Sequence, residues 1–566
     1  MSKKIIPIGY EDFKQIREKD LYFVDKTLLI QELLESSGQT VLITRPRRFG
    51  KTLNLSMLRR YFEDERTEQG EKINNGWLFD GLAISECDDR ILQHKQQYPV
   101  INLSLKSAKQ PNFEMSYGCL IDEICKEFQR HAYVLDMEMP MRNRDIYERI
   151  ILGKGQPAEY AKSLAFLSEC LSKYHKKNVF LLIDEYDVPL ENAYFSGYYE
   201  EMVVFIRSLF ESALKTNPYL ERGVITGCLR ITRESIFTGL NNLEIHSILS
   251  DHYCNRFGFT EAEVKNMLDY YELPEKYEEL KQWYDGYQFG QTEIYNPWSI
   301  SNYVNNARVN EKAFPKAYWS NTSSNSIVKE LVECADEETR KEIESLMEGG
   351  VIEKPLHEEI TYGDIHASKD NLWNFLFFTG YLKATGLWQQ DETIYAKMSI
   401  PNREIKSIYR QSILTWFDCK VKGVNRIPLI EALENGESQK AEEFISNQLL
   451  DTISYFDYAE NYYHGFLTGL LTGFKGYEVI SNREFGMGRP DIVLKTSAIR
   501  KGKVIILEIK VADSVADMEV KCQEALEQIE RQKYAEPFVK EGYPVVRKYA
   551  GCFYKKECMI LEGKYG

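Results

Sequence analysis

The sequence predicts an α/β chain of several domains, with two separate α/β units divided by a mostly helical middle region. Three observations predict it. Short, continuous apolar runs alternate with longer amphipathic stretches over the first 230 residues, as parallel strands buried on both faces require. Charged amphipathic helices dominate from about residue 260 to residue 435. Strands return beyond residue 476. The expected segments are therefore 1–259, 260–435 and 436–566. At about 150 residues per domain, 566 residues allow three to four domains.

The strands of the first segment are expected at Thr40–Thr44, Pro99–Leu103, Asn178–Ile183 and Gly223–Thr226. Helical stretches between them imply βαβ units. In the middle segment, Thr260–Tyr271 and Glu337–Met347 read as helices, punctuated by the aromatic turns Trp283–Tyr287 and Tyr295–Ser299. Leu372–Leu387 followed by Glu392–Ile400 suggests a helix leading into a strand pair, as in a winged helix. In the last segment, strands are expected at Tyr477–Ser481, Asp491–Lys495 and Lys503–Val511, then a helix over Met518–Ala535 and an apolar run at Tyr543–Tyr549.

Composition excludes several classes. Hydrophobic residues are 43% and charged residues 28%, which rules out wholesale disorder, collagen and coiled coil. The net charge of −15 argues against a non-specific nucleic-acid coat. That charge is uneven: residues 476–566 carry 16 basic and 14 acidic side chains, a net of +2, which leaves −17 on the first 475. Eleven scattered cysteines without a CxxC pair indicate reduced thiols, and eight histidines without paired spacing suggest no zinc site. The N-terminus lacks the apolar core of a signal peptide and no stretch approaches 18 apolar residues. The expectation is a cytoplasmic protein without a membrane partner.

The first chemical constellation begins at Thr40–Thr44, which runs into Arg45-Pro-Arg-Arg-Phe-Gly-Lys-Thr52 and then into an amphipathic stretch. Strand, loop and helix in that order are the setting of a P-loop. Backbone N–H groups around Arg47, Arg48, Phe49 and Gly50 would hold phosphate oxygens. Lys51 would reach the β- and γ-phosphates of ATP, and the Thr52 hydroxyl would ligate Mg²⁺. Arg45 stands where the pattern has its first glycine, so the loop forms if Arg45 adopts an allowed φ. Downstream, an apolar strand ends in Asp184-Glu185. Ligands of open α/β sheets bind at such strand ends. Asp184 would complete the Mg²⁺ shell and Glu185 would position or deprotonate the attacking water. Thr226, at the next strand end, would sense the γ-phosphate. Arg230 and Arg233 are candidate arginine fingers, with a surface charge the simpler account of either.

The segments IPIGYEDFKQIREKDLYFVDKT, RPRRFGKT, LLIDEYDVPL and TGCLRITRESIFTGLNNL resemble the AAA-ATPase-like family of bacteria and archaea, and FGFTEAEV, WYDGYQFG and YNPWSISNYV extend the likeness to about residue 300. The resemblance implies a P-loop ATPase of ASCE type, with an extra strand between the two nucleotide motifs.

The second constellation is Gly488-Arg-Pro-Asp491 followed by Glu508-Ile-Lys510. Glu508 and Lys510 lie two apart on one strand and so share a face. With Asp491 from the neighbouring strand, they suit metal-assisted phosphodiester hydrolysis: Asp491 and Glu508 on Mg²⁺ (or Mn²⁺), Lys510 on the water. The blander account is a solvated Glu/Lys pair on a strand. Pro490-Asp491 and Glu508-Ile-Lys510 resemble the PD-(D/E)XK nuclease superfamily, over roughly residues 451–554. The resemblance implies a restriction-endonuclease-like fold. It also implies a further acid from a preceding helix, for which Glu460 is the candidate, and a supporting role for Gln528 and Tyr534.

The whole predicts an ATP-regulated, Mg²⁺-dependent nuclease whose partner is nucleic acid, DNA in preference to RNA, with room for an oligomer. Defence against foreign DNA or maintenance of mobile elements is the role such architectures suggest. An ATP-driven switch whose nuclease-like domain binds nucleic acid or a partner without cutting is the alternative.

Overall fold

The structure is a computed structural model of the chain. It describes residues 3–563 apart from 216, 231–235, 238–241, 320–325, 359–361, 363–367, 424, 451–459, 473–475, 482–483 and 486–487. Two compact units emerge: Met1–Asn325 with Val351–Ile408, and Ser326–Gly350 with Tyr409–Gly566.

The first unit is built on a five-stranded sheet. Its strands are β1 (Thr40–Thr44), β2 (Val100–Ser104), β3 (Val179–Asp184), β4 (Leu220–Gly227) and β5 (Leu243–His246). They lie in the order β2-β3-β4-β1-β5 and every pairing is parallel. β1 and β3 are buried along their whole length, which explains their unbroken apolar sequences. β4 lies between them, so the loops after β1 and β3 flank the exit of β4.

Two small antiparallel sheets complete this unit. β6 (Phe259–Thr260), β7 (Tyr287–Phe289) and β8 (Thr292–Tyr295) form one in the order β6-β8-β7. β9 (Ile352–Leu356), β10 (Lys383–Gln390) and β11 (Thr393–Ser399) form the other in the order β10-β11-β9. The middle of the chain is thus less helical than its sequence implies. The aromatic stretch Tyr287–Tyr295 is a hairpin. The expected helix at Leu372–Leu387 stops at Phe378, and its last residues become β10, paired with β11 and beyond it β9. Nor does 260–435 form a unit of its own, since it is divided between the two units. The helices at Glu261–Tyr270 and Glu337–Met347 form as expected, the first behind a Thr260/Glu263 capping box.

One buried acid belongs to this packing. Glu404 accepts hydrogen bonds from Ser299 Oγ (3.0 and 2.8 Å) and from the Trp319 N–H (2.9 Å). Burial raises its carboxyl to about 7.

The second unit holds a mixed five-stranded sheet. β12 (Tyr477–Ser481), β13 (Ile492–Thr496), β14 (Lys503–Val511), β15 (Val545–Tyr554) and β16 (Glu557–Glu562) lie in numerical order. β14 and β15 are parallel and the other pairs antiparallel. Val493, Val504 and Ile506 on one face pack with Ile529 of the helix Met518–Arg531. Among the described residues no helix is long and apolar enough to cross a membrane.

Candidate functional site

Two groups of expected site residues fall in different units. In the first unit, β1 delivers the chain into the loop Arg45–Gly50, and the helix Lys51–Phe62 follows. The loop turns at Arg48 (φ 69°) and at Gly50 (φ 85°), both left-handed. Arg45 is not among the positive-φ residues, so no glycine is required at the head of the loop. Arg45 is instead completely buried. Its guanidinium donates to the carbonyls of Thr44 (2.8 Å), His246 (3.0 Å), Ser247 (2.8 Å) and His252 (3.3 Å) and lies over the rings of Phe257 and Phe289. Burial pushes it down to about 9. Arg45 therefore ties the loop to the backbone beyond β5 and is no phosphate ligand in this arrangement.

Lys51 is buried, and its ammonium donates to the carbonyls of Arg45 and Pro46, each at 2.9 Å, with Cys228 Sγ at 3.6 Å. The loop thus curls around the charge that would meet a phosphate. The helix behind Gly50 has no side-chain cap, which leaves its first N–H groups to serve an anion. Arg47 pairs with Glu191, and that pairing outweighs burial to hold Arg47 well above its ordinary value. Arg48 is exposed and lies over Trp298 at 4.6 Å.

Asp184 ends β3, and β4 pairs beside it so that Thr226 Oγ donates to Asp184 Oδ1 at 2.6 Å. Glu185 follows with φ 52°, and burial with the neighbouring Asp184 raises its carboxyl. A cleft of about 350 Å³ is lined by Arg47, Arg48, Lys51, Thr52, Glu185 and Cys228, among others. Phe49 and Gly50 also line it, whereas Asp184 and Thr226 lie buried behind its wall. Arg230 pairs with Glu358 at 3.5 Å, and Arg233 lies outside the described residues. Hydroxyl and carboxylate oxygens at Thr52, Asp184 and Glu185 are hard donors that fit Mg²⁺ beside a triphosphate.

Sequence reasoning missed Asp187 and Glu191 here. Asp187 Oδ2 accepts the N–H groups of Cys228 (2.7 Å) and Leu229 (3.2 Å), fixing the exit of β4, and burial raises its carboxyl. Gly227 permits this approach, since a Cβ there would meet the Tyr186 ring at 2.5 Å. The available signal was the acidic series 184, 187, 191 leading into the helix Val188–Ser196.

In the second unit the alternation of strand faces gathers the other group. Val504 and Ile506 of β14 face the helix Met518–Arg531, so Glu508, next in the same parity, emerges beneath that helix. Val493 of β13 shares the face, and Asp491 lies two residues before it. The register pairs Ile492 with Leu507, which brings Asp491 and Glu508 abreast. Asp491 Oδ2 accepts the Ile509 N–H at 2.7 Å, and the Asp491 N–H reaches Glu508 Oε2 at 3.4 Å. Glu508 is 2% exposed. Its Oε1 accepts from Gln528 Nε2 and lies 3.7 Å from Lys510 Nζ. Tyr534 OH donates to the Arg489 carbonyl at 3.3 Å, and burial raises its phenol. Glu460 begins the helix Glu460–Leu471, but its side chain lies outside the described residues. Among the described residues no cluster of three or more His, Cys, Asp or Glu side chains is arranged for a metal ion. The donor set of Asp491 and Glu508, two hard carboxylates on adjoining strands, fits Mg²⁺ or Mn²⁺.

Three comparisons bear on these sites. Residues 7–237 match a family model described as "Predicted AAA-ATPase". Residues 458–563 match the model of the PD-(D/E)XK nuclease superfamily. A protein of Azotobacter chroococcum mcd 1, described as "Uncharacterized protein in vnfD 5'region", is 24% identical over 562 residues, 96% of each chain. The chain accordingly joins an AAA-ATPase-like domain near its beginning to a PD-(D/E)XK nuclease superfamily domain near its end.

Proposed function

We propose that the protein is a divalent-metal-dependent phosphodiesterase acting on nucleic acid, with its cutting governed by ATP binding or hydrolysis in the first unit. The observation that carries this reading is the convergence of Asp491, Glu508, Lys510 and Gln528 on one face of the second sheet. Asp491 and Glu508 would hold the metal ion, which would supply Lewis-acid polarisation of the phosphoryl group and a water of lowered pKa. Lys510 orients that water and offsets charge developing on the phosphate. Gln528 keeps the Glu508 carboxylate from rotating. DNA is the favoured substrate.

In the first unit, Lys51 leaves the carbonyls of Arg45 and Pro46 for the β- and γ-phosphates of ATP. Thr52 and Asp184 hold Mg²⁺, and Glu185 positions the hydrolytic water. Glu185, with its raised carboxyl, accepts a proton more readily than an ordinary surface acid. The strand order, with β4 between β1 and β3, supports the ASCE type. Defence against foreign DNA, or upkeep of mobile elements, is the role that fits, by analogy of architecture.

The test is cleavage of labelled single- and double-stranded DNA and RNA with Mg²⁺ or Mn²⁺, with and without ATP. Cleavage by the native protein that disappears in Glu508→Ala and Lys510→Ala, and changes its ATP response in Lys51→Ala, is the expected result. ATP hydrolysis without cleavage of any substrate would instead favour a switch that binds nucleic acid or a partner.

A further inference from the structure

His464 sits on the helix Glu460–Leu471, four residues after Glu460. Its lack of a paired histidine makes it look inert in sequence. Its surroundings say otherwise. His464 Nε2 lies 2.9 Å from the carbonyl oxygen of Asp491 and 2.9 Å from Ser481 Oγ. A carbonyl oxygen only accepts, so Nε2 must carry the hydrogen. The ring is therefore committed through Nε2 to the backbone of Asp491, and that nitrogen is closed to a metal ion.

The position of Asp491 gives this contact its meaning. The ladder between β12 and β13 begins with Ser481 opposite Ile492, and the ladder between β13 and β14 begins with Ile492 opposite Leu507. Asp491 immediately precedes Ile492, where both strand pairings start, and His464 donates to its carbonyl there. Ser481, the last residue of β12, stands against the same nitrogen. Asp491 is thus fixed at its carbonyl by His464, at its side chain by the Ile509 N–H and at its own N–H by Glu508.

We infer that His464 is a positioning residue for the metal site, acting through the Asp491 peptide rather than on the metal or the substrate. This rests on the reading of Asp491 and Glu508 as metal ligands. Partners of this kind behind a ligand change metal affinity by roughly 10–100-fold when removed.

The experiment is Mn²⁺ binding to the full-length protein, read from the electron paramagnetic resonance signal of free Mn²⁺. Wild type, Glu508→Ala, His464→Ala and His464→Gln are compared, with melting temperatures recorded for each. Roughly 10–100-fold weaker binding in His464→Ala is expected, with recovery in His464→Gln, whose amide N–H can reach the same carbonyl. Wild-type binding in His464→Ala, while Glu508→Ala binds weakly, overturns the inference and leaves the metal site standing. Equal binding by wild type and Glu508→Ala overturns both. Should His464→Ala fail to fold, ¹⁵N-histidine spectra of the wild-type protein decide: hydrogen on Nε2 is required, and a ring carrying it on Nδ1 alone overturns the inference.

Discussion

The two candidate sites are assembled by opposite means. In the P-loop cleft the key side chains are engaged with one another or with their own backbone. Lys51 holds two carbonyls of its loop, Arg47 holds Glu191 and Asp184 holds Thr226. Under the function proposed above, a nucleotide would exchange these partners for its phosphates. In the second unit, strand pairing brings Asp491 and Glu508 abreast, and Gln528 and His464 steady them from two helices. The contrast teaches that a loop site stores its charges in exchangeable contacts, whereas a strand-pair site holds them by register.

The sharpest way to break this comparison is Glu508→Ala. It should lower nucleic-acid cleavage by about 10²–10³-fold or more while leaving ATP turnover unchanged, measured side by side on one preparation. A parallel loss of both activities would mean that the two sites are not separately built. Next comes Arg45→Gly, which restores the residue usual for that position of a P-loop. It strips the donor from the buried carbonyls of Thr44, His246 and Ser247, each costing about 1–3 kcal/mol if left unmet, and from the more accessible carbonyl of His252. A loss of about 3 kcal/mol or more in a urea titration is expected, and a gain would refute the tie described here. Lys51→Ala should weaken ATP binding by about 10–100-fold, the worth of a charge-assisted hydrogen bond, without altering Mn²⁺ binding at Glu508.

The smallest effect is a pH slope. The Glu404 carboxyl lies at about 7 against an ordinary 4.5. Its contribution to stability is complete below the lower value and is lost as pH rises through the upper one. Between those values, wild type should lose stability relative to Glu404→Gln by at most about 1.4 kcal/mol per pH unit. Urea titrations of both proteins across that range measure the difference. A difference that does not change with pH would mean the acid is ordinary.

Much of this was readable in the sequence where burial is two-sided. β1 and β14 coincide with the expected runs because a long apolar stretch leaves little choice of bounds, and β12 coincides although most of it is not buried. β5, with the sequence LEIH, and β16, with ECMILE, were missed because their polar residues disguise them. The three-residue strand β7 hides in an aromatic stretch that reads as a turn. Site residues named by spacing do meet: Asp491, Glu508 and Lys510 lie together, joined by Gln528, which the resemblance implied, and Arg47 through Thr52 line one cleft with Glu185. What spacing could not reveal are side chains whose partners are backbone atoms far along the chain. Arg45 reaches a carbonyl 207 residues away and His464 one 27 residues away. No pattern of residue types announces a carbonyl.

The division of the chain carries one more consequence. It enters the second unit at Ser326, returns to the first at Val351 and enters the second again at Tyr409, within the helix Arg403–Gly423. Neither unit is therefore a single stretch of sequence. During synthesis the first cannot be completed until residue 408 has left the ribosome, by which time part of the second has already emerged. A break near residue 435, where composition suggests a cut, would part the helices Ser326–Cys334, Glu337–Met347 and Ile427–Asn435, and the end of Arg403–Gly423, from the sheet of the second unit. The two units are thus tied by the path of the chain, and no single break in the gene separates one whole unit from the other.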